Sequence, residues 1–156
     1  MIIQPAKISP LHNHLGDTTM AIESVKKMVE AAKAEIDNIS PEEASRRAAD
    51  EDALIVDIRD VREMQRDGAI PGAMHAPRGM LEFWVSPDSP YTKEVFGEDR
   101  EFILCCAGGM RSALSAKTLK DMGMERISHI ETGFGGWQAD DMPIETYEEW
   151  KANRAK

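Results

Sequence analysis

Short unbroken apolar runs alternate along this chain with longer stretches in which apolar residues return every third or fourth position. Leu54-Ile55-Val56, continuing to Ile58, and Phe102-Ile103-Leu104 are runs of the first kind, and they predict strands covered on both faces. Ile127 to Ile130 is a third such strand and Ala73 to Ala76 a briefer one. The helical spacing is clearest at Ile22, Val25, Val29, Ala32 and Ile36, with Glu23, Lys26, Lys27, Glu30, Lys33 and Glu35 largely on the other face. Asp17 or Thr18 is the expected cap of this helix. Its apolar stripe either covers the chain's own body or pairs with a second subunit, so a homodimer stands as one of two outcomes.

Ser40-Pro41-Glu42-Glu43 opens the next helix: a capping serine, proline at the first helical position, and an acid where a capping box places it. That helix is expected to end near Ala48. Further helices are expected at Val61 to Arg66 and at Arg78 to Val85, the second stopped by Ser86-Pro87-Asp88-Ser89-Pro90. Another runs from Met110, through Leu114 and Leu119, to Gly123, and a last one begins at Gly133 and ends before Pro143. Strands alternating with helices imply an α/β fold, a parallel sheet with helices on both faces. The expected division is an irregular N-terminal arm (1–17), an accessory amphipathic helix (18–38), the main α/β domain (39–146) and a C-terminal tail (147–156) pinned by Tyr147 and Trp150.

Charge and cysteine content narrow the possible functions. A formal net charge of -9 over 156 residues argues against a nucleic-acid partner, which needs a basic surface. No apolar run reaches the length of a membrane span, and Met1 to Leu15 lacks the charged start and apolar centre of a signal peptide, which makes the cytoplasm the expected compartment. The two cysteines, Cys105 and Cys106, are adjacent, so they staple nothing and fit a reducing environment. His12 and His14 have no further ligand at metal spacing and read as exposed side chains; no metal or cofactor is expected.

The chemistry concentrates where strand Phe102–Cys105 meets the helix from Met110. Between them lies Cys106-Ala107-Gly108-Gly109-Met110-Arg111. Two adjacent glycines let the backbone turn its N–H groups inward at the positive end of a helix, which makes an anion cradle. A thiol at its rim is a nucleophile candidate. Helix N-termini and neighbouring cations bring thiol pKa values down from about 8.5 to roughly 3.5–7.5.

Strand, Cys-x-x-x-x-Arg-Ser, helix resembles the active-site loop of the single-domain rhodanese family. Leu54-Ile55-Val56-Asp57-Ile58-Arg59 is similar to that family's Asp-x-Arg strand, Gly68-Ala69-Ile70-Pro71-Gly72-Ala73 to its following turn, and Glu131-Thr132-Gly133-Phe134-Gly135-Gly136-Trp137 to its last strand-to-helix turn. The resemblance implies the rhodanese three-layer sandwich, a central, mainly parallel five-stranded sheet between helices. It also implies a sulfurtransferase whose cysteine carries sulfane sulfur as a persulfide.

Two registers compete. Four residues separate Cys106 from Arg111, as in rhodanese loops; five separate Cys105 from it, as in protein tyrosine phosphatases and in the dual-specificity phosphatases that share the rhodanese fold. Strand alternation lets only one of the two point into the loop, and Cys106 is the expected nucleophile, since Phe102 to Cys105 then complete the strand. The resemblance implies that the N–H groups of Ala107, Gly108, Gly109 and Met110 hold the persulfide. Arg111 either binds the donor's charge or ties the loop to Asp57, Glu131 or loop carbonyls. Arg59, with Asp57, is divided between donor attraction and a structural ion pair. The implied partners are a small anionic donor such as thiosulfate or a persulfide-carrying protein, and cyanide or a thiol as acceptor. Ala69 stands where the family's turn often has histidine, and Arg111 is the loop's only cation beside apolar Met110, so weak thiosulfate turnover is expected. A phosphatase using Cys105 and a non-catalytic binding module are the competing functions.

Overall fold

The structure is a computed structural model and describes residues 21–154. The arm, His12, His14 and the expected cap at Asp17 or Thr18 lie outside the described residues. The first described helix, α1 (Val25–Lys33), is capped by the Ser24 hydroxyl, which accepts the Lys27 N–H. Val29 and Ala32 bury against Ala113 and Leu114 of a later helix, so this part of the stripe packs within the chain. Ile22, Val25 and Met28 stay exposed.

The helix stops three residues short of Ile36, and β1 (Asp37–Ile39) follows. Asn38 accounts for the stop: its side-chain amide donates to the carbonyls of Lys33 and Ile36, drawing the chain out of the helix and into the sheet. The Ser40 hydroxyl then accepts the Glu43 N–H to start α2 (Pro41–Asp50). In order come β2 (Leu54–Asp57), α3 (Val61–Asp67), β3 (Met74–His75), a 3₁₀ turn at Arg78–Met80 leading into α4 (Leu81–Val85), and a second 3₁₀ turn at Glu94–Gly97. The chain continues with β4 (Phe102–Cys105), α5 (Met110–Asp121), β5 (Ile127–Ile130), α6 (Gly133–Ala139) and α7 (Tyr147–Arg154).

The five strands lie in the order β1-β5-β4-β2-β3, every pairing parallel. Alternation along β4 builds two cores. Ile103 and Cys105 face the layer that holds Ala44 of α2 and Phe134 and Trp137 of α6. Phe102, Leu104 and Cys106 face the layer that holds Leu81 of α4 and Ala116 and Leu119 of α5. The central strand thus delivers its end to the sheet's carboxyl edge, where open α/β sheets place ligands.

The C-terminal residues form a helix where a tail was expected. Thr146 and Glu149 make a reciprocal capping box, and Trp150 is buried beside Met64 and Ala69 with its indole N–H on the Ala73 carbonyl. Phe83 is exposed, and Trp84 packs on the α4 side under Lys93.

Candidate active site

Backbone constraints from two directions set the loop after β4. Gly109 adopts φ 99°, and a Cβ there would stand 2.0 Å from the Glu131 carbonyl oxygen, so only glycine fits. At the first turn of α6 the Phe134 N–H donates to the Cys106 carbonyl at 2.7 Å and the Gly135 N–H to the Ala107 carbonyl at 2.9 Å. With its carbonyls held by α6, the loop's amides are left to turn the other way.

The Cys106 sulfur is where they converge. Gly109 N–H donates to Sγ at 3.1 Å and Ser112 N–H at 3.3 Å, and the Ser112 hydroxyl lies 3.4 Å away. Of the four amides expected to form the cradle, Gly109 meets the sulfur itself; those of Ala107, Gly108 and Met110 have no acceptor among the described residues. Ser112, at the third position of α5, supplies the second donor, and sequence reasoning passed over it although it stands in the Arg-Ser pair.

Cys105 points into the opposite core and is fully buried. Burial, with the Asp57 carboxylate beside it adding to the effect, pushes its thiol well above the ordinary value. Asp57 and Arg59 lie on that side too. Both are buried; Arg59 makes a bidentate pair with Asp57 (2.7 Å at its closest), donates to the Gly68 carbonyl at 2.8 Å and stacks 3.9 Å over the Phe134 ring. With every face engaged, the pair braces β2 against the turn after α3.

Arg111 is held by neither Asp57 nor Glu131 nor loop carbonyls. It forms a fork on Glu63 of α3, both bonds 2.9 Å, which holds the Glu63 carboxyl below its ordinary range. A cleft of about 410 Å³ opens above the sulfur, its walls made by Val25, Met110 and Leu114 with Arg78 and Arg111 at the edge. Arg78 is exposed and forms no ion pair among the described residues. Nothing in the sequence around Arg78 marks it as part of the cleft. The hollow between α2 and β2, lined by Ala48, Ala49 and Ile70, contains no thiol. Among the described residues no group of three or more His, Cys, Asp or Glu side chains is placed to hold a metal ion.

Behind Ser112 lies His129, buried on β5. Its Nδ1 is 2.8 Å from the Ser112 hydroxyl and its Nε2 is 2.7 Å from Asn38 Oδ1. Burial, aided by the Lys33 charge, lowers the His129 pKa from 6.5 to about 4. The unfolded chain therefore binds a proton that the folded one refuses. The stabilisation is complete above about pH 6.5 and is lost as pH falls towards 4, on the order of 3 kcal/mol in all. Urea unfolding across that window is expected to show the loss, and His129→Gln to flatten it.

Comparison with known proteins settles the family. The family model described as the rhodanese-like domain matches residues 40–140. The chain belongs to the rhodanese-like family. A thiosulfate sulfurtransferase GlpE of Glaesserella parasuis is 29% identical over 107 residues, covering 69% of this chain and 91% of the relative. Among solved structures, a Rhodopseudomonas palustris protein of unknown function, described as a possible tyrosine phosphatase, is 47% identical, with a TM-score of 0.75 over 79% of this chain and 95% of its own. The polysulfide-sulfur transferase homodimer of Wolinella succinogenes is 28% identical, with a TM-score of 0.62 over 86% of this chain and 93% of its own. This rhodanese-like chain thus has sulfurtransferases among its relatives, and its all-parallel five-stranded sheet is the fold they share.

Proposed function

We propose that the protein carries sulfane sulfur as a persulfide on Cys106, taking it from thiosulfate or from a persulfide on another protein and passing it to a thiol or cyanide. The observation that supports this most is the convergence of two backbone N–H donors on a thiol at the floor of an open cleft. Cys106 thiolate attacks the outer sulfur of the donor. The new S–S bond forms as the donor's own S–S bond breaks, and with thiosulfate the electron pair departs on sulfite. The remaining loop amides, at the start of the twelve-residue α5, then face the charge on the outer sulfur. An acceptor thiolate or cyanide attacks that sulfur and Cys106 thiolate is regenerated. Two unpaired thiols fit the reducing cytoplasm as the place of work.

With Arg111 neutralised by Glu63, Arg78 is the cation we assign to the donor's charge. Arg78→Ala is expected to raise KM for thiosulfate about fivefold, the worth of one exposed charge contact, with kcat little changed. Steady-state transfer to cyanide measures this. The apolar walls formed by Val25, Met110 and Leu114 favour donors with a carbon body over a small dianion.

The description of the Rhodopseudomonas relative keeps a phosphatase reading in view. Geometry weighs against it: Cys105 faces the core, and among the described residues no carboxylate lines the cleft to protonate a leaving alcohol. Aryl phosphate hydrolysis is expected to be absent, and hydrolysis lost in Cys105→Ser would favour the phosphatase. A purely binding module has no use for a thiol so placed.

The test is sulfur transfer from thiosulfate and from an organic persulfide to cyanide and to a small thiol. Turnover with at least one pair is expected. Absence of transfer with every pair would reject the proposal.

A further inference from the structure

The hydrogen bonds behind Cys106 run further than sulfur binding requires. Asn38 fixes their direction. Its amide nitrogen donates to the carbonyls of Lys33 at 2.9 Å and Ile36 at 3.2 Å, which leaves Oδ1 turned to His129. His129 Nε2 must then carry a hydrogen, and in the neutral ring Nδ1 is left as an acceptor. The Ser112 hydroxyl, 2.8 Å from Nδ1 and 3.3 Å from the Gly109 carbonyl, gives its hydrogen to the ring and turns a lone pair to the thiol 3.4 Å away. Sulfur, hydroxyl, imidazole and amide therefore form one directed chain from the loop to the edge strand β1.

We propose that Ser112, His129 and Asn38 act as a proton relay that withdraws the Cys106 thiol proton before donor attack and returns it when the sulfur has been handed on. The step balances within the chain. The S–H bond breaks with its electron pair kept on sulfur, and the proton passes to Ser112 Oγ. The original hydroxyl proton passes to His129 Nδ1. In the resulting ion pair the two bonds of the Ser112 hydroxyl persist with their direction reversed: Nδ1–H donates to Ser112 and Ser112 donates to the thiolate, while Nε2–H still donates to the Asn38 oxygen. His129 and Asn38 touch neither sulfur nor donor and are positioning residues.

The low pKa keeps the ring free of a proton near neutral pH, the state a relay needs at the start. The charged groups around it are few: Lys33 at the end of α1 opposes protonation, and Asp37 on β1 and Glu131 after β5 favour it. Lys33 and Glu131 are paired with each other at 3.6 Å.

The inference rests on Cys106 being the reacting thiol, and it is tested without any sulfur donor. The pH dependence of Cys106 alkylation by iodoacetamide is followed by mass spectrometry, with fragment ions assigning the label. In His129→Gln and in Ser112→Ala the profile is expected to move up by about one pH unit, an approximately tenfold slower reaction at neutral pH. The double variant is expected to move no further, because the two act as one path. Ser112→Thr, which keeps the hydroxyl, is expected to follow the wild type. Superimposable profiles for wild type and His129→Gln would overturn the relay. A second readout, which leaves Ser112 and His129 in place, is the nitrogen NMR titration of His129 in wild type and Cys106→Ser. Wild type is expected to show a second, higher step at Nδ1 coincident with the thiol, and Cys106→Ser only the lower one. Identical His129 titrations in the two proteins would also overturn it. Loss of sulfur transfer with the alkylation shift intact would count against the proposed function alone.

Discussion

Cys106→Ser is expected to abolish sulfur transfer, and Cys105→Ala to leave most of it. The two side chains are neighbours in sequence but belong to different layers of the molecule, because strand alternation turns them to opposite faces of β4. Cys106 receives the loop amides; serine in its place keeps the hydrogen bonds but cannot form a persulfide. Cys105 sits among Ile39, Ile55, Ile103 and Phe134, and its one hydrogen bond among the described residues goes to the carbonyl of its own neighbour at 3.5 Å. Losing that sulfur leaves a small void, worth on the order of 1 kcal/mol of stability, and touches nothing in the cleft. Assay of both variants with thiosulfate or an organic persulfide measures the contrast. Activity lost in Cys105→Ala and retained in Cys106→Ser would invert the register.

Asp57→Ala is expected to cost about 3–5 kcal/mol of stability, because it leaves the Arg59 guanidinium buried with only the Gly68 carbonyl and the Phe134 ring for company. For a chain of this size that is a fall in melting temperature on the order of ten degrees. Replacing both members with apolar residues, Asp57→Leu with Arg59→Met, is expected to cost less than the single change, since no stranded charge remains. Thermal unfolding of the three variants measures this. If Arg59 instead attracts the donor, the double variant would keep its stability and lose donor binding; here it is expected to bind donor as the wild type does.

The fold was legible because its signals are local. Unbroken apolar runs at Leu54 and Phe102 announced buried parallel strands, and Ser40-Pro41 announced α2. β1 was not legible: three residues, two of them polar, gave no alternation, and its partner β5 lies about ninety residues away. The apolar stripe ran on to Ile36 because that side chain is half-buried beside the helix it does not belong to. α7 could have been read, since Thr146-Tyr147-Glu148-Glu149 is a capping-box sequence.

At the site, sequence spacing identified the loop and its glycines, which answer to local backbone geometry. Which partner each charged side chain takes is a matter of tertiary placement. Arg111 meets Glu63, 48 residues earlier; Ser112 meets His129, and His129 meets Asn38, 91 residues away. His129 lies on β5 between Ser128 and Ile130. Nothing in its neighbourhood in sequence indicates that it stands behind the reactive thiol.

The most direct test of the Cys106 assignment is mass spectrometry of the protein after brief exposure to a sulfane-sulfur donor. One added sulfur atom is expected on the peptide containing both cysteines, with fragment ions placing it on Cys106 and with its loss on addition of cyanide. A protein that reacts with no donor, or that carries the added sulfur on Cys105, would contradict the assignment.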